Sequence, residues 1–219
     1  MRILFIRHGQ TPANVLGRLD TAHPGPGLTE LGMRQADAIP DAVAHEEIEG
    51  VFVSTLLRTQ LTAAPLARTR RLDARVSHGL HEIEAGALEG LSDERSQLAY
   101  METVFSWANG DLARAMPGGP DGHEFFGRFD AAIDAVAREH TGTVSIVSHG
   151  AAIRTWTAGR ADNVDVEYAE EHPLSNTGVV IVTGSPADGW QVEEWDGNPV
   201  GGRQLLDVAA DDPTGEAVE

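Results

Sequence analysis

Apolar residues along the chain come in short blocks, separated by polar stretches rich in glycine and proline. Residues 3–6 are continuously apolar, the pattern of a strand covered on both faces. A polar loop over residues 9–27 follows. Thr29 then has the character of an N-cap, with Glu30 in the first turn where the helix dipole favours an anion. That helix continues through Met33, Ala36 and Ile39, and Pro40 is positioned to kink or divide it. Residues 51–53 predict a second strand. Residues 55–67 predict a second helix, with Leu56, Leu57, Leu61 and Ala64 at helical spacing. A weak strand over 74–77 leads into a segment bounded by Gly79 and Gly90.

Residues 92–140 break this alternation. Two helical stretches, 93–116 and 123–139, flank residues 117–122, a run of turn formers that belongs at the surface. A strand over 144–147, a helix from Ala151 and two late strands, 179–182 and 190–195, follow. Residues 185–189 join the last pair as a hairpin at the sheet edge. Residues 207–219 carry five acids in thirteen positions and no aromatic, a composition that predicts disorder. The whole pattern implies an α/β fold, a three-layer αβα sandwich with a mainly parallel central sheet. Residues 1–206 would form a single domain, with a helical cap inserted at about 92–140. In such sheets ligands bind beyond the carboxyl ends of the strands.

Composition removes several functional classes. The chain has no cysteine, which excludes disulfide frameworks, thiolate metal sites and cysteine nucleophiles. No run approaches the roughly 18–20 apolar residues of a membrane span, and the opening apolar run is too short for a secretory signal. Cytoplasmic is therefore the default location. All 16 basic residues are arginine and the formal net charge is -18, a balance that opposes nucleic acid and anionic membranes. An anionic ligand would need a site that is basic against this global field. His78, His81 and Glu82 do not have the spacing of a helical metal motif, and Gly79 argues against a helix there. No metal and no cofactor are expected.

The chemistry gathers at strand ends. Arg7-His8-Gly9 follows the first strand, Ser54 to Arg58 the second, and Ser148-His149-Gly150 the strand over 144–147. If these strands are parallel, two histidines and two arginines meet at one edge. A neutral imidazole can attack phosphorus, and a carbonyl accepting from one ring nitrogen would leave the other free. Adjacent arginines disfavour a further positive charge and so keep such a histidine neutral. Arginine's planar fork suits phosphate. Gly9 and Gly150 permit close backbone approach, and N–H groups at a helix start add anion affinity.

Four segments together resemble the histidine phosphatase superfamily, in its phosphoglycerate-mutase-like branch. They are Leu4 to Thr11 with Asn14; Leu28 to Gly32 with Gln35 and Ala36; Ser54 to Thr59 with Thr62 and Ala63; and Val147 to Gly150. The resemblance covers roughly residues 2–183. It implies that His8 becomes phosphorylated while Arg7, Arg58 and His149 hold the phosphoryl oxygens. Asn14, Thr11 and Gly150 would belong to the phosphate-binding set. His123, by its place in the cap, either lines the cleft or lies at the surface. The family's general acid maps to Glu82 in the Leu80 to Gly90 segment. His81 stands where many relatives carry arginine, and the 17–26 loop lacks the Gly-Trp pattern of cofactor-dependent mutases. The resemblance implies a metal-independent phosphatase acting on small phosphorylated metabolites. A phosphoglycerate-mutase-type phosphotransferase and a silent phospho-ligand binder remain as alternatives. Oligomeric state is left open, a dimer being one option.

Overall fold

The computed structural model describes residues 1–210 and 212–216. Six strands, β1 (Arg2–Arg7), β2 (Ile48–Val53), β3 (Ala74–Val76), β4 (Thr143–Ser148), β5 (Val179–Ser185) and β6 (Gly189–Asp196), form one sheet in the order β3-β2-β4-β1-β5-β6. Strands β1 to β4 pair in parallel, and β5 runs antiparallel to both β1 and β6. Successive strand side chains point to opposite faces. Ile3 and Phe5 therefore join one core and Leu4 and Ile6 the other, and Phe52 parts in the same way from Val51 and Val53. A sheet apolar on both faces needs a helical layer on each.

Among the described residues seven α-helices follow in chain order: α1 (Pro12–Val15), α2 (Glu30–Ala42), α3 (Leu57–Arg70), α4 (Glu94–Ala108), α5 (Gly122–Glu139), α6 (Gly150–Arg160) and α7 (Val166–Glu171). Ile39 and Val43 at the end of α2 and Ala63 and Leu66 of α3 cover the Leu4/Ile6 face. The opposite face carries α4 to α7. There Phe129 sits 5.7 Å from both Phe125 and Trp156, and Trp156 lies 5.2 Å from Phe5 of the sheet.

The expected α/β sandwich is present, with local differences. The first helix of the 92–140 region ends at Ala108 instead of reaching residue 116. Asn109-Gly110 stops it, Gly110 taking a φ of 97°, and the Trp107 indole N–H turns the chain back by donating to the Arg114 carbonyl at 2.7 Å. Pro40 does not divide α2, because it falls in the last turn and only two residues follow it.

What positions the site is the β1–β4 register. Arg7 pairs with Ser148, and the His8 amide donates to the Ser148 carbonyl at 3.0 Å. The residue after each strand, His8 and His149, must then be a neighbour of the other.

Candidate active site

The His8 and His149 rings stand 5.2 Å apart by centroid, at the carboxyl ends of β1 and β4. Both are buried. His8 Nδ1 lies 2.8 Å from the Gly9 carbonyl, an acceptor that selects the tautomer with the proton on Nδ1 and leaves the Nε2 lone pair free. Burial, then Arg58, then Arg7 hold the His8 pKa well below its ordinary value, so the ring is neutral at physiological pH. Burial and the same Arg58 push His149 down likewise.

Arg58, in the first turn of α3, is 3% exposed, and its Nη2 donates to the Asp20 carbonyl at 2.8 Å. Arg7 is fully buried. His149 holds the N-cap position of α6 without a side-chain capping bond, and its Nε2 contacts the Ser54 hydroxyl at 2.7 Å. Among the described residues three buried nitrogens of this group have no hydrogen-bond partner: Arg7 Nε, Arg58 Nη1, which has only the Asp20 carboxylate at 4.0 Å, and His149 Nδ1. A buried donor left without a hydrogen bond is costly. The two guanidinium nitrogens are donors outright, and His149 Nδ1 is one in the tautomer whose Nε2 accepts from the Ser54 hydroxyl, so the cluster suits an anion. Gly150 is required here, since a Cβ would fall 2.5 Å from the Thr214 carbonyl oxygen and 2.9 Å from Arg7 Nε.

Glu82 closes another side of the cluster. Its carboxylate accepts from its neighbour Ile83 N–H at 2.9 Å and from the first turn of α6, Ala152 N–H at 2.9 Å and Ala151 N–H at 3.3 Å. Burial raises its pKa against the lowering effect of those N–H groups and of Arg58. Glu82 lines one cleft together with His8, Thr11, Asn14, Arg58, Arg18, Asp20 and Thr214.

Asn14 is aimed by its neighbours. Its Oδ1 accepts from the Thr11 amide and hydroxyl, both at 2.9 Å, and from Asn176 at 3.4 Å, which leaves Nδ2 to donate to Asp212 at 3.1 Å. Asn176 also donates to the His8 carbonyl at 3.1 Å. Thr11 thus serves Asn14 as a capping partner. His123 is not brought to the site. It lies exposed in the first turn of α5, because its helix starts there and turns the buried Phe125, Phe126 and Phe129 inward instead.

Two participants were hidden in the segment expected to be disordered. Asp212 is 8% exposed, and its Oδ1 accepts from Arg7 Nη2 at 2.7 Å and Asn14 Nδ2 at 3.1 Å. The Thr214 hydroxyl lies 2.9 Å from the same Arg7 nitrogen, and the Thr214 carbonyl accepts from Arg154. Composition alone carried no signal of this, since an acidic stretch reads as solvated until a buried cation is known to face it. Residues 211 and 217–219 of that segment lie outside the described residues. A roomier groove, about 360 Å³ between α2 and β5–β6, contains none of these side chains and is floored by Leu4, Val43 and Val179.

Residues 3–198 match the family profile described as "Histidine phosphatase superfamily (branch 1)". The chain is 39% identical over 217 residues to a PE-PGRS family protein of Mycobacterium tuberculosis, covering 92% of this chain but only 37% of that protein's length. It is 26% identical to phosphoserine phosphatase 1 of Hydrogenobacter thermophilus over 70% of this chain and 73% of the relative. Among solved structures, a mycobacterial glucosyl-3-phosphoglycerate phosphatase in complex with VO3 superposes with a TM-score of 0.75 at 22% identity, over 89% of this chain and 98% of the other. An Entamoeba histolytica phosphoserine phosphatase variant bound to phosphoserine gives 0.71 at 22%, over 94% and 98%. A profile spanning almost the whole chain and a sheet that joins Arg7-His8-Gly9 to His149 lead to one assignment: this chain belongs to branch 1 of the histidine phosphatase superfamily.

Proposed function

We propose that the chain hydrolyses small phosphomonoesters through a phosphohistidine at His8. The observation that carries this reading is the neutral, buried His8 beside three buried nitrogens of Arg7, Arg58 and His149 that have no hydrogen-bond partner among the described residues. His8 Nε2 attacks phosphorus and the ester P–O bond breaks. The departing alkoxide takes the proton of Glu82, whose raised pKa favours the acid form needed. Arg7 and Arg58 carry the charge that spreads over the phosphoryl oxygens, with His149 and Asn14 as further donors. Glu82, now a carboxylate, accepts a proton from the water that attacks the phosphohistidine. The P–N bond breaks, phosphate leaves, and the Nε2 lone pair and the Glu82 proton are restored.

The phosphoserine and glucosyl-3-phosphoglycerate phosphatases among its relatives point to small anionic esters as the substrate class. Return of the phosphoryl group to another substrate hydroxyl would use the same groups, and release of phosphate to water separates the two outcomes. The test is phosphate release, in chelator, from a panel of phosphorylated amino acids, sugars and glycerates, with His8→Ala alongside. Release lost in the variant, together with an acid-labile, base-stable phosphoenzyme in wild type, supports the reading. Isomerised substrate without phosphate release would replace it with a mutase. Neither product nor phosphoenzyme from any ester would leave a phosphate-binding protein.

A further inference from the structure

We propose that Arg128, on α5, is a positioning residue for the general acid Glu82, an inference that rests on the reaction assigned above. Glu82 sits in a segment that belongs to no strand or α-helix. Residues 78–80 make a single 3₁₀ turn, and the chain is extended at His81. Its carbonyls therefore need side-chain partners. Arg128 Nη1 donates to the Gly79 carbonyl at 2.7 Å and the His81 carbonyl at 2.8 Å, and Nη2 to the Glu82 carbonyl at 2.9 Å. The Ser148 hydroxyl takes Leu80 and the Tyr100 hydroxyl takes Ile83, each at 2.8 Å. Five consecutive carbonyls, 79 to 83, are thus held by three side chains, and one guanidinium holds three of them.

The guanidinium is itself fixed. It lies over the Phe125 ring at 5.3 Å and 3.5 Å from a Glu84 oxygen. Burial raises the Glu84 carboxyl, but His81 and Arg128 outweigh it and bring its pKa to about 2, so the anion beside Arg128 persists. The loop also lies directly on α5, since a Cβ at Gly79 would collide with the Arg128 carbonyl oxygen. Arg128 faces backbone carbonyls and Glu84, not the reacting atoms. Its effect on the chemistry runs through where Glu82 is held: the far side of that residue, its carboxylate, is clasped by α6, and Arg128 fixes the near side. Lysine, a point donor without a fork, cannot reach three carbonyls in two directions.

The experiment compares two esters. A displaced general acid matters most when the leaving group is a poor one, such as an alkoxide, and little for 4-nitrophenolate, which leaves without a proton. Arg128→Gln is expected to lower kcat/KM, which reports phosphoenzyme formation and not the later hydrolysis that both esters share, about 100-fold on an alkyl phosphate and under about 5-fold on 4-nitrophenyl phosphate. Arg128→Lys should fall between, and should be read by the same split if Arg128→Gln does not fold. Glu82→Gln should show the same selectivity, and the double variant should lose little more than Glu82→Gln alone. Equal losses on the two esters, or losses that multiply in the double variant, would overturn the proposal. A wild type that forms no phosphoenzyme would instead sink the underlying reaction.

Discussion

Asp212 occupies two donors, Arg7 Nη2 and Asn14 Nδ2, that the proposed reaction assigns to phosphate. The same carboxylate also opposes the mutual repulsion of Arg7 and Arg154, the latter brought to about 9 by burial and by Arg7. Phosphate reaches both donors only when Asp212 leaves. A hydrogen bond between charged groups contributes about 1.5–3 kcal/mol, and an asparagine amide keeps part of it, so Asp212→Asn should weaken the hold by about 1–2 kcal/mol. At 1.4 kcal/mol per tenfold, phosphate should bind about 5–30-fold more tightly to the variant. Thr214 and Gly215 remain anchored through Arg154 and the Leu174 amide, which limits the change to the carboxylate. The assay is competitive inhibition of 4-nitrophenyl phosphate hydrolysis by inorganic phosphate, in wild type and variant. Weaker phosphate inhibition in Asp212→Asn would refute the reasoning, because the carboxylate would then be orienting Arg7 for the ligand.

The pH profile of kcat/KM should rise as His8 loses its proton, at a pH below the usual histidine range, and fall as Glu82 loses its own above the usual glutamate range. Glu82→Gln should lack the falling limb, and a variant that kept it would remove Glu82 from the acid role. Ser54→Ala takes the 2.7 Å partner from His149 Nε2 and should lower kcat about 10-fold with little change in folding, by the loss of about 1–1.5 kcal/mol of ring orientation. Unchanged kcat would show that burial alone fixes the ring. Phe129→Ala empties a fully buried position between Phe5, Phe125 and Trp156 and should cost about 3–5 kcal/mol. Thermal unfolding should then move down by roughly 6–20 °C, and a shift under about 2 °C would contradict the packing described.

Strand ends were the most readable part of the sequence. The apolar blocks at 3–6, 51–53 and 144–147 locate Arg7, His8 and His149, because a buried parallel strand leaves a local signature and its end has a fixed relation to its neighbours. Glu82 was readable only through the resemblance, since nothing in residues 78–84 has a period. Helix length failed where one dipeptide, Asn109-Gly110, outweighed the apolar spacing that continues past it. Asp212 and Arg128 were invisible for a different reason. Each acts on groups far away in the chain, 205 residues for Asp212 on Arg7 and 49 for Arg128 on the Gly79 carbonyl, and no local pattern encodes such a pairing.

The first turn of α6 bears on how such a site can change over time. His149 holds the N-cap position, Gly150 leaves room for Thr214 and Arg7, and the next two amides grip Glu82, so four chemical parts are indexed to four consecutive residues. His8, the proposed nucleophile, is indexed to the same unit through one strand pairing. The 17–26 loop reaches the cleft from beside this unit, bringing Arg18, Asp20 and Thr21 to its wall. Variation at the side chains of that loop can therefore reshape what the cleft admits while the proposed reaction is inherited intact. In this molecule, descent can preserve a mechanism and leave the choice of substrate open to selection.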